Sequence, residues 1–395
     1  MSGVFDRLVG QRDVETELVA AAVAARRGDT GSAMTHSWLF TGPPGSGRSV
    51  AALCFAAALQ CTDEETPGCG RCHACTTTMA GTHGDVRRVV PEGLTISVKS
   101  MRDIVQVASR RPSTGRWQVV VIEDADRLTE GAANALLKVV EEPPQRTVFL
   151  LCAPSIDPED ISVTLRSRCR HIGLVTPSAD AIARVLEATD GIDPKTAQWA
   201  ASVSAGHVGR ARRLATDEGA RDNRARALAV AGAVLRPATT YSAADDLGRS
   251  AETEAKEISA ERDERETEEL RTALGAGGTG KGAAGALRGS AGVLKELERT
   301  QKSRKTRTER DIMDRALIDL AGLYRDALVH AFGSRVTLNH PDMSDRAADL
   351  ASRTRPESLL ECIEAILDCR EALAQNVKPR FALAALAARL SSAFR

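Results

Sequence analysis

The sequence predicts an α/β domain with a parallel sheet, followed by a small helical domain and a C-terminal helical domain. Short aliphatic segments alternate with helical patterns over the first half of the chain, which is typical of a parallel sheet covered by helices. Aromatic residues make up only 3% of the 395 residues, so the cores are expected to be mainly aliphatic. This length also exceeds the roughly 250–300 residues at which a single core stops growing. We therefore expect several domains.

The first domain is expected over residues 1–176. Thr129 is a favourable N-cap for a helix, and Pro143 ends that helix because proline cannot continue it. The order of elements predicts parallel strands joined by crossover helices. The predicted elements are a strand over His36–Thr41, a helix over Ser49–Gln60, a strand over Gln118–Ile122, a helix over Glu130–Glu142 and a strand over Thr147–Cys152.

The rest of the chain divides by composition into three segments. Residues 177–238 show only helical patterns with short loops. Residues 239–308 hold an acidic, a glycine-rich and a basic stretch, which predict a solvated helix and a flexible linker. We expect that about residues 245–305 can be deleted without unfolding the flanking domains. Residues 309–395 are predicted to be helical, because apolar residues recur at i+3 and i+4 spacing: Met313, Leu317, Leu320, Tyr324 and Leu328, then Leu360, Ile363 and Leu367.

The charges of the chain balance. Lys plus Arg and Asp plus Glu both number 53, so any contact with a polyanion must come from a local patch. No apolar run reaches the roughly 18 residues that span a bilayer, and the N-terminus lacks the apolar segment of a signal peptide. We expect a cytoplasmic protein that makes no membrane contact. Disulfides rarely persist in that compartment, so clustered cysteines indicate a metal.

Four of the nine cysteines lie close together in the sequence. Their spacing, C-x7-C-x2-C-x2-C, predicts a tetrahedral site for a structural Zn²⁺ with no open position for catalysis. Reduced thiols without a ligand are the alternative, and His73 is surplus to a four-sulfur site. The predicted ligands are Cys61, Cys69, Cys72 and Cys75. The other cysteines are expected to pack in cores: Cys54, Cys152, Cys169, Cys362 and Cys369.

A glycine-rich segment follows the first predicted strand and opens the first helix, which is the position of a phosphate-binding loop. It reads Gly42-Pro-Pro-Gly-Ser-Gly-Arg48-Ser49. Gly45 and Gly47 would let backbone N–H groups surround phosphates. Arg48 replaces the usual lysine by a broad planar group that can fill the site. A strand-to-helix turn without a ligand is the alternative.

The second predicted strand ends in Glu123 and Asp124, where an active ATPase with this loop usually has Asp followed by Glu. The longer side chain at the metal position and the shorter one at the water-polarising position displace both carboxylates. Catalysis is sensitive to displacements of about 1 Å. Together with Arg48, this order predicts that ATP binding and hydrolysis are weak or absent.

Three motifs together resemble the bacterial clamp-loader branch of the AAA+ proteins. They are VFDRLVGQ at residues 4–11, NALLKVVEEPP at residues 134–144 and SRC at residues 167–169. The resemblance covers about residues 1–235, and NVKPRFAL at residues 376–383 extends it to the C-terminus. It implies an AAA+ P-loop domain, a helical lid domain over residues 177–238, and a collar domain over residues 309–395 through which subunits assemble.

The resemblance also implies roles for single residues. Arg168 resembles an arginine finger that reaches the ATP site of a neighbouring subunit; the alternative is a solvated basic turn that includes Arg166 and Arg170. Ser155 occupies the place of a sensor residue or caps a turn. Arg210 matches a second sensor arginine in the lid, with a solvated helix face as the alternative.

The implied function is that of a non-motor subunit of the clamp loader. Such a subunit completes a hetero-pentameric ring with gamma/tau-like ATPase subunits and a delta-like subunit, and the ring loads a sliding clamp onto primer-template DNA. An ATP-hydrolysing motor subunit is the first alternative, distinguished by nucleotide binding of the isolated chain. A zinc-ribbon nucleic-acid-binding protein is disfavoured, because few aromatic residues are present to stack bases. Salt-dependent affinity for primed DNA would favour it.

Overall fold

The computed structural model describes residues 3–28, 33–234, 236–274 and 283–394. The chain divides into two units, Met1–Ala215 and Thr216–Arg395. All the strands of the described chain lie in the first unit, and the second unit is helical. No helix in these described ranges combines the length and the apolar character needed to cross a membrane.

A five-stranded parallel sheet forms the centre of the first unit. Its spatial order is β2-β3-β4-β1-β5, and every neighbouring pair is parallel. The three central strands are buried along their whole length, whereas the two edge strands are partly exposed. The strands are β1 (Ser37–Thr41), β2 (Val86–Val89), β3 (Gln118–Ile122), β4 (Thr147–Ala153) and β5 (Arg170–Gly173).

Helices cover both faces of this sheet. Successive residues of a strand point to opposite faces, so neighbouring residues belong to different cores. Trp38 and Phe40 belong to one core and Leu39 to the other. The first core contains residues of α1 (Arg12–Arg27) and α2 (Arg48–Gln60), and the second contains residues of α4 (Val98–Ala108) and α5 (Glu130–Glu141). The α/β fold class predicted from the sequence is therefore confirmed.

Shorter helices complete the first unit. Their positions are α3 (His73–Ala80), α6 (Val163–Arg166), α7 (Ala179–Asp190), α8 (Pro194–Ser202) and α9 (Val208–Thr216), which ends at the boundary between the units. Thr129 caps α5 as predicted, since its hydroxyl accepts a hydrogen bond from the Ala132 N–H at 3.3 Å.

The second unit is a set of helices around one aliphatic core in which Tyr324 is fully buried. Leu360 and Leu367, expected on an apolar face, are about half exposed (50% and 47%), because the core-facing residues of their helix are Leu359, Cys362 and Ile366. The helices are α10 (Glu218–Ala233), α11 (Pro237–Ala273), α12 (Ala283–Ala331), α13 (Ser344–Arg353), α14 (Pro356–Ala374) and α15 (Pro379–Ala393).

Over residues 239–308 the sequence predicts a solvated helix and a flexible linker; the described part of that range is helical, as predicted in part, but packed against other helices. Residues 237–273 are one helix, α11, which packs against α10, α12 and α15. Ala251 and Ala255 are buried in the common core. Residues 275–282, in the predicted glycine-rich tether, lie outside the described residues. The unit boundary at residue 215 also assigns α10 to the second unit, although the predicted lid domain extended to residue 238.

Candidate functional site

The glycine-rich loop lies between β1 and α2, at the carboxyl end of the sheet. Gly42, Gly45 and Gly47 have φ angles of 155°, 89° and 95°, a region that side chains rarely allow. The Gly42 N–H donates to Pro154 O at 3.1 Å, which fastens the loop to the end of β4. The sequence therefore forms the strand–loop–helix that a phosphate-binding motif requires.

The turn before α9 packs directly on this loop. A Cβ atom placed on Gly45 would lie 2.3 Å from Cγ and 2.5 Å from Cα of His207. The same turn also packs tightly against Thr176, because a Cβ atom placed on Gly206 would lie 2.0 Å from Cγ2 of Thr176. The Nδ1 atom of His207 accepts the Arg210 N–H at 3.2 Å. A ligand that approached Gly45 would therefore have to share this space with His207.

Gln11 connects the first sequence motif to the loop. Its side-chain Nε2 donates to Val175 O at 2.6 Å and to Ser46 O at 3.3 Å, and its Oε1 accepts the Val175 N–H at 3.2 Å. The side chain is 3% exposed. Gln11 thus fixes the chain after β5 against the phosphate-binding loop.

Two buried donors in the loop have no hydrogen-bond partner among the described residues. They are Nη1 of Arg48 and the hydroxyl of Ser46. Each is a donor from which an anion such as a phosphate group can accept a hydrogen bond. The donor set of the loop therefore fits a phosphate, although Arg48 stands where a nucleotide-binding loop usually has lysine.

The acidic end of β3 does not fit a magnesium nucleotide. The Glu123 carboxylate, 13% exposed, forms an ion pair with the guanidinium of Arg88 on β2. Asp124 has a left-handed φ of 53° and lies 4.0 Å from Arg127. Burial, and then the charge of Asp124, raise the pKa of Asp126, so a further carboxyl group here resists ionisation. An arginine thus holds the carboxylate at the position where an active ATPase coordinates its metal.

The remaining predicted nucleotide-site residues make local contacts. Ser49 lies near the start of α2, and burial raises the pKa of the Cys152 thiol to about 12. The Ser155 hydroxyl donates to Asp160 at 2.7 Å and accepts the Asp157 N–H at 2.9 Å, which is the geometry of a turn cap. Arg210 is half-buried in the first turn of α9, next to His207.

Arg168 lies between α6 and β5 at the amino ends of the strands, away from the phosphate-binding loop. Its guanidinium forms an ion pair with Glu141 at 2.6 Å and donates to Thr164 O at 2.9 Å. The Arg168 side chain is 37% exposed and that of Glu141 is 46% exposed. Ion pairs with this exposure contribute little, typically about 0–1 kcal/mol. Arg168 can therefore exchange Glu141 for another anion at low cost.

The four predicted metal ligands converge at the end of α2. Their sulfur atoms all lie within 4.8 Å of one another, close to the separation of about 3.8 Å that four Zn–S bonds of about 2.3 Å impose. Cys72 caps α3 by accepting the Cys75 N–H at 3.4 Å. Burial acts to raise the pKa of Cys72, but N–H groups that include those of Thr62 and Cys75 outweigh it and lower the pKa to about 6. Such a four-sulfur set could hold a zinc ion.

Sequence reasoning missed two residues of the candidate site, Arg88 and His207. Arg88 lies on the short edge strand β2, which the sequence did not predict, and it meets Glu123 only through the pairing of β2 with β3. His207 reaches Gly45 only through the tertiary packing of the turn before α9. Its position beside the predicted sensor residue Arg210 was the available signal.

The parallel sheet, its glycine loop and its acidic strand end define an AAA+ P-loop protein. Residues 26–178 match the family model described as DNA polymerase III, delta subunit. DNA polymerase III subunit delta' of Escherichia coli is 35% identical over 164 residues, which covers 41% of this chain and 47% of that protein. The corresponding subunit of Pseudomonas aeruginosa is 38% identical over 149 residues, covering 37% and 45%.

Relatives under another subunit name match to a similar degree. DNA polymerase III subunit tau of Bacillus subtilis is 31% identical over 180 residues, covering 45% of this chain and 30% of that protein. A solved DNA polymerase III gamma subunit-related protein from Thermotoga maritima has 14% identity and a TM-score of 0.39, covering 95% of this chain and 100% of that chain. The chain spans less than half the length of each of the three curated relatives. Over residues 26–178 it is similar to clamp-loader proteins, which is the resemblance that its motifs indicate.

Proposed function

We propose that this chain is the non-motor, delta-prime-like subunit of a DNA polymerase III clamp loader. It works in the cytoplasm, in a hetero-pentameric ring with gamma/tau-like ATPase subunits and a delta-like subunit. The ring opens a sliding clamp and loads it onto primer-template DNA. The chain carries a structural Zn²⁺ on its four clustered cysteines, and its own ATP site is weak or absent.

The ion pair between Arg88 and Glu123 carries the non-motor part of this proposal. A magnesium nucleotide needs a carboxylate that is available to the metal or to its water shell. Here an arginine from the neighbouring strand neutralises that carboxylate, and the adjacent Asp124 is too short for the role of the usual glutamate. His207 on Gly45 and Arg48 in place of lysine act in the same direction.

Arg168 is the residue through which this subunit would act. Its surface ion pair with Glu141 leaves the guanidinium within reach of solvent, so an ATP site on a neighbouring subunit can compete for it. An arginine supplied in trans stabilises the charge that develops on the transferred phosphoryl group. In this proposal the chain contributes to hydrolysis without hydrolysing ATP itself.

A gamma/tau-like motor is the second candidate. It is supported by the 31% identity to subunit tau of Bacillus subtilis and by the unpaired phosphate donors of the loop, Arg48 and Ser46. The motor requires metal coordination at Glu123 in spite of the ion pair with Arg88. The two candidates therefore differ in one measurable activity, the turnover of ATP by the chain alone.

We expect the purified chain to hydrolyse ATP far more slowly than 1 s⁻¹, roughly the low end for phosphoryl-transfer enzymes. The Arg48→Lys variant should remain inactive, because Glu123 stays paired with Arg88. A phosphate-release assay with Mg²⁺ and saturating ATP measures both. Turnover near 1 s⁻¹ or faster by the unmodified chain would establish the motor instead.

A further inference from the structure

Four exposed arginines occupy two neighbouring loops of the first unit. Arg110, Arg111 and Arg116 lie in residues 109–117, between α4 and β3, and Arg146 lies between α5 and β4. None of the four guanidinium groups has an ion pair or hydrogen bond with the described residues. Residues 109–117 include no acidic residue, and residues 142–146 include one, Glu142. In a chain whose net charge is zero, the two loops together therefore carry a local excess of positive charge.

Hydrogen bonds bring the two loops together. The Gln118 N–H donates to Arg146 O at 2.8 Å, two residues from Arg116. The Thr147 hydroxyl donates to Ala108 O at 3.1 Å, which joins the start of β4 to the end of α4. The four arginines therefore belong to one surface, although 36 positions separate the first from the last in the sequence.

The first loop is held in one conformation by a buried carboxylate. Asp85, 2% exposed, accepts the backbone N–H groups of Ser113 at 2.8 Å and Thr114 at 2.7 Å, together with both hydroxyls. Burial acts to raise the pKa of Asp85, but these donors and the Gly115 N–H outweigh it and hold the pKa well below its usual range. The carboxylate is thus fully engaged and does not neutralise the arginines.

Gln60 fixes the other half of the loop. Its Oε1 accepts the Arg116 N–H at 2.9 Å, and a Cβ atom on Gly115 would lie only 2.4 Å from that oxygen. The backbone around Arg116 is therefore already ordered, so it loses little further conformational entropy when a ligand binds.

This surface is separate from the candidate nucleotide site. Both loops precede strands and so lie at the amino ends of β3 and β4, whereas the phosphate-binding loop follows the carboxyl end of β1. Five residues of parallel strand separate the two edges by about 16 Å. Anions bound at the two places would not share ligands.

We propose that these two loops bind the phosphate backbone of duplex nucleic acid. The planar guanidinium of arginine matches phosphate oxygens, and four fixed donors can span successive phosphates. The one aromatic residue of the first loop, Trp117, packs against the core of the sheet, so it is not available to stack on unpaired bases. The contact is therefore electrostatic and independent of base sequence. An acidic protein surface is the competing partner for such a patch.

The test uses the full chain and a fluorescently labelled duplex of about 30 base pairs, with fluorescence anisotropy read over a salt series. Four phosphate contacts should reduce the affinity roughly 100-fold between 50 and 200 mM salt, because each contributes about 0.9 to the slope of log K against log salt. The magnitude of this slope should fall by about 3 to 4 in a variant that replaces all four arginines: Arg110→Gln, Arg111→Gln, Arg116→Gln and Arg146→Gln.

A matched variant removes the same number of exposed arginines elsewhere: Arg12→Gln, Arg27→Gln, Arg184→Gln and Arg335→Gln. It should keep the affinity and slope of the unmodified chain. Thermal unfolding checks that both variants are folded. Equal weakening by the two variants, or no salt-dependent duplex binding by the unmodified chain, would overturn the proposal. So would polyglutamate that displaces the duplex at equal concentrations of charge, since it would identify an acidic protein as the partner. The assay uses the chain alone and does not depend on the clamp-loader function. Loss of the affinity in the four-arginine variant assigns the binding to these loops and not to the cysteine cluster, so it does not favour the zinc-ribbon alternative.

Discussion

Single residues decide the chemistry of the nucleotide site, and only some of them could be predicted. The order of Glu123 and Asp124 is visible in the sequence, as is Arg48. The ion pair of Glu123 with Arg88 was not predictable, because it depends on the pairing of two strands whose interacting residues are 35 positions apart. Ser155 shows the opposite case: the turn cap weighed from the sequence is the contact observed.

A buried histidine couples the stability of the second unit to pH. His340 is 2% exposed; its Nδ1 accepts from Arg224 at 3.0 Å, and its Nε2 lies 2.9 Å from Asp319 O. Burial lowers the pKa of His340, and the charge of Arg224 lowers it further, while Asp319 and Asp326 act in the opposite direction. The folded chain therefore binds this proton less readily than the unfolded chain, whose histidine titrates near pH 6.5.

We therefore expect the free energy of unfolding to fall as the pH drops below about 6.5, by up to about 1.4 kcal/mol per pH unit from this group. Urea denaturation followed by circular dichroism measures the loss. Tryptophan fluorescence reports the first unit separately, since Trp38, Trp117 and Trp199 all lie there. The His340→Gln variant should flatten the pH dependence, and the exposed His171→Gln should not. An unchanged pH dependence in His340→Gln would contradict this assignment.

At the scale of elements, the cysteine cluster links the end of α2 to the N-terminal residues. The Val4 N–H donates to Gly68 O at 2.8 Å, and the Cys54 thiol of α2 donates to Val4 O at 3.0 Å. The loop between the first two ligands is therefore part of the packing of the first unit. The grouping of these four cysteines was predictable because their spacing is a local signal that needs no tertiary contact.

We expect one zinc ion per chain in freshly purified, reduced protein. A chelator should lower the thermal stability of the first unit, because the binding free energy of a structural zinc contributes to folding. The Cys72→Ala variant should lack the metal, whereas Cys362→Ala, a core cysteine of the second unit, should retain it. Elemental analysis gives the content, and a metal-free native chain would refute the site.

The charge composition of α11 predicts a solvated helix, but part of this helix is buried. Its buried residues are spaced by three and four positions, which is a helical stripe: Ala244, Leu247, Ala251 and Ala255. Alanine gives a weak apolar signal among many charged neighbours, so the sequence pattern alone does not indicate this stripe. Beyond it, polar contacts join α11 to α12, with Arg304 lying 3.2 Å from Asp263 and 3.0 Å from Glu266.

The deletion expected to be harmless, residues 245–305, should therefore unfold the second unit, because it removes the buried part of α11. A shorter deletion of residues 268–300, closed by a glycine-serine turn, removes no residue of the core and should leave the unit folded. Circular dichroism and urea denaturation of the two proteins compare them directly. Equal stability of both deletions would show that the packing of α11 is unimportant.

At the scale of the whole molecule, the chain separates an α/β unit with the candidate sites from a helical unit with its own core. The division into an α/β part and helical parts was predictable from periodicity. The boundary at residue 215 was not, because α10 resembles the preceding helices in sequence and differs only in the core that it joins. In the proposed role, the residue that acts on ATP is Arg168 of the first unit. The ATP itself is bound by another subunit.

The most direct test of that role is clamp loading by a reconstituted ring that contains Arg168→Ala, compared with one that contains Arg166→Ala. Arg166 is the matched control, since it is exposed and lies two residues away. An arginine finger is worth up to about 10³–10⁵ in rate at one site, although other sites in the ring keep turning over. We predict that both rings assemble and that only Arg168→Ala slows loading and lowers the ATPase rate. Loading at the unmodified rate, or failure of the Arg168→Ala ring to assemble, would contradict a role for Arg168 in trans.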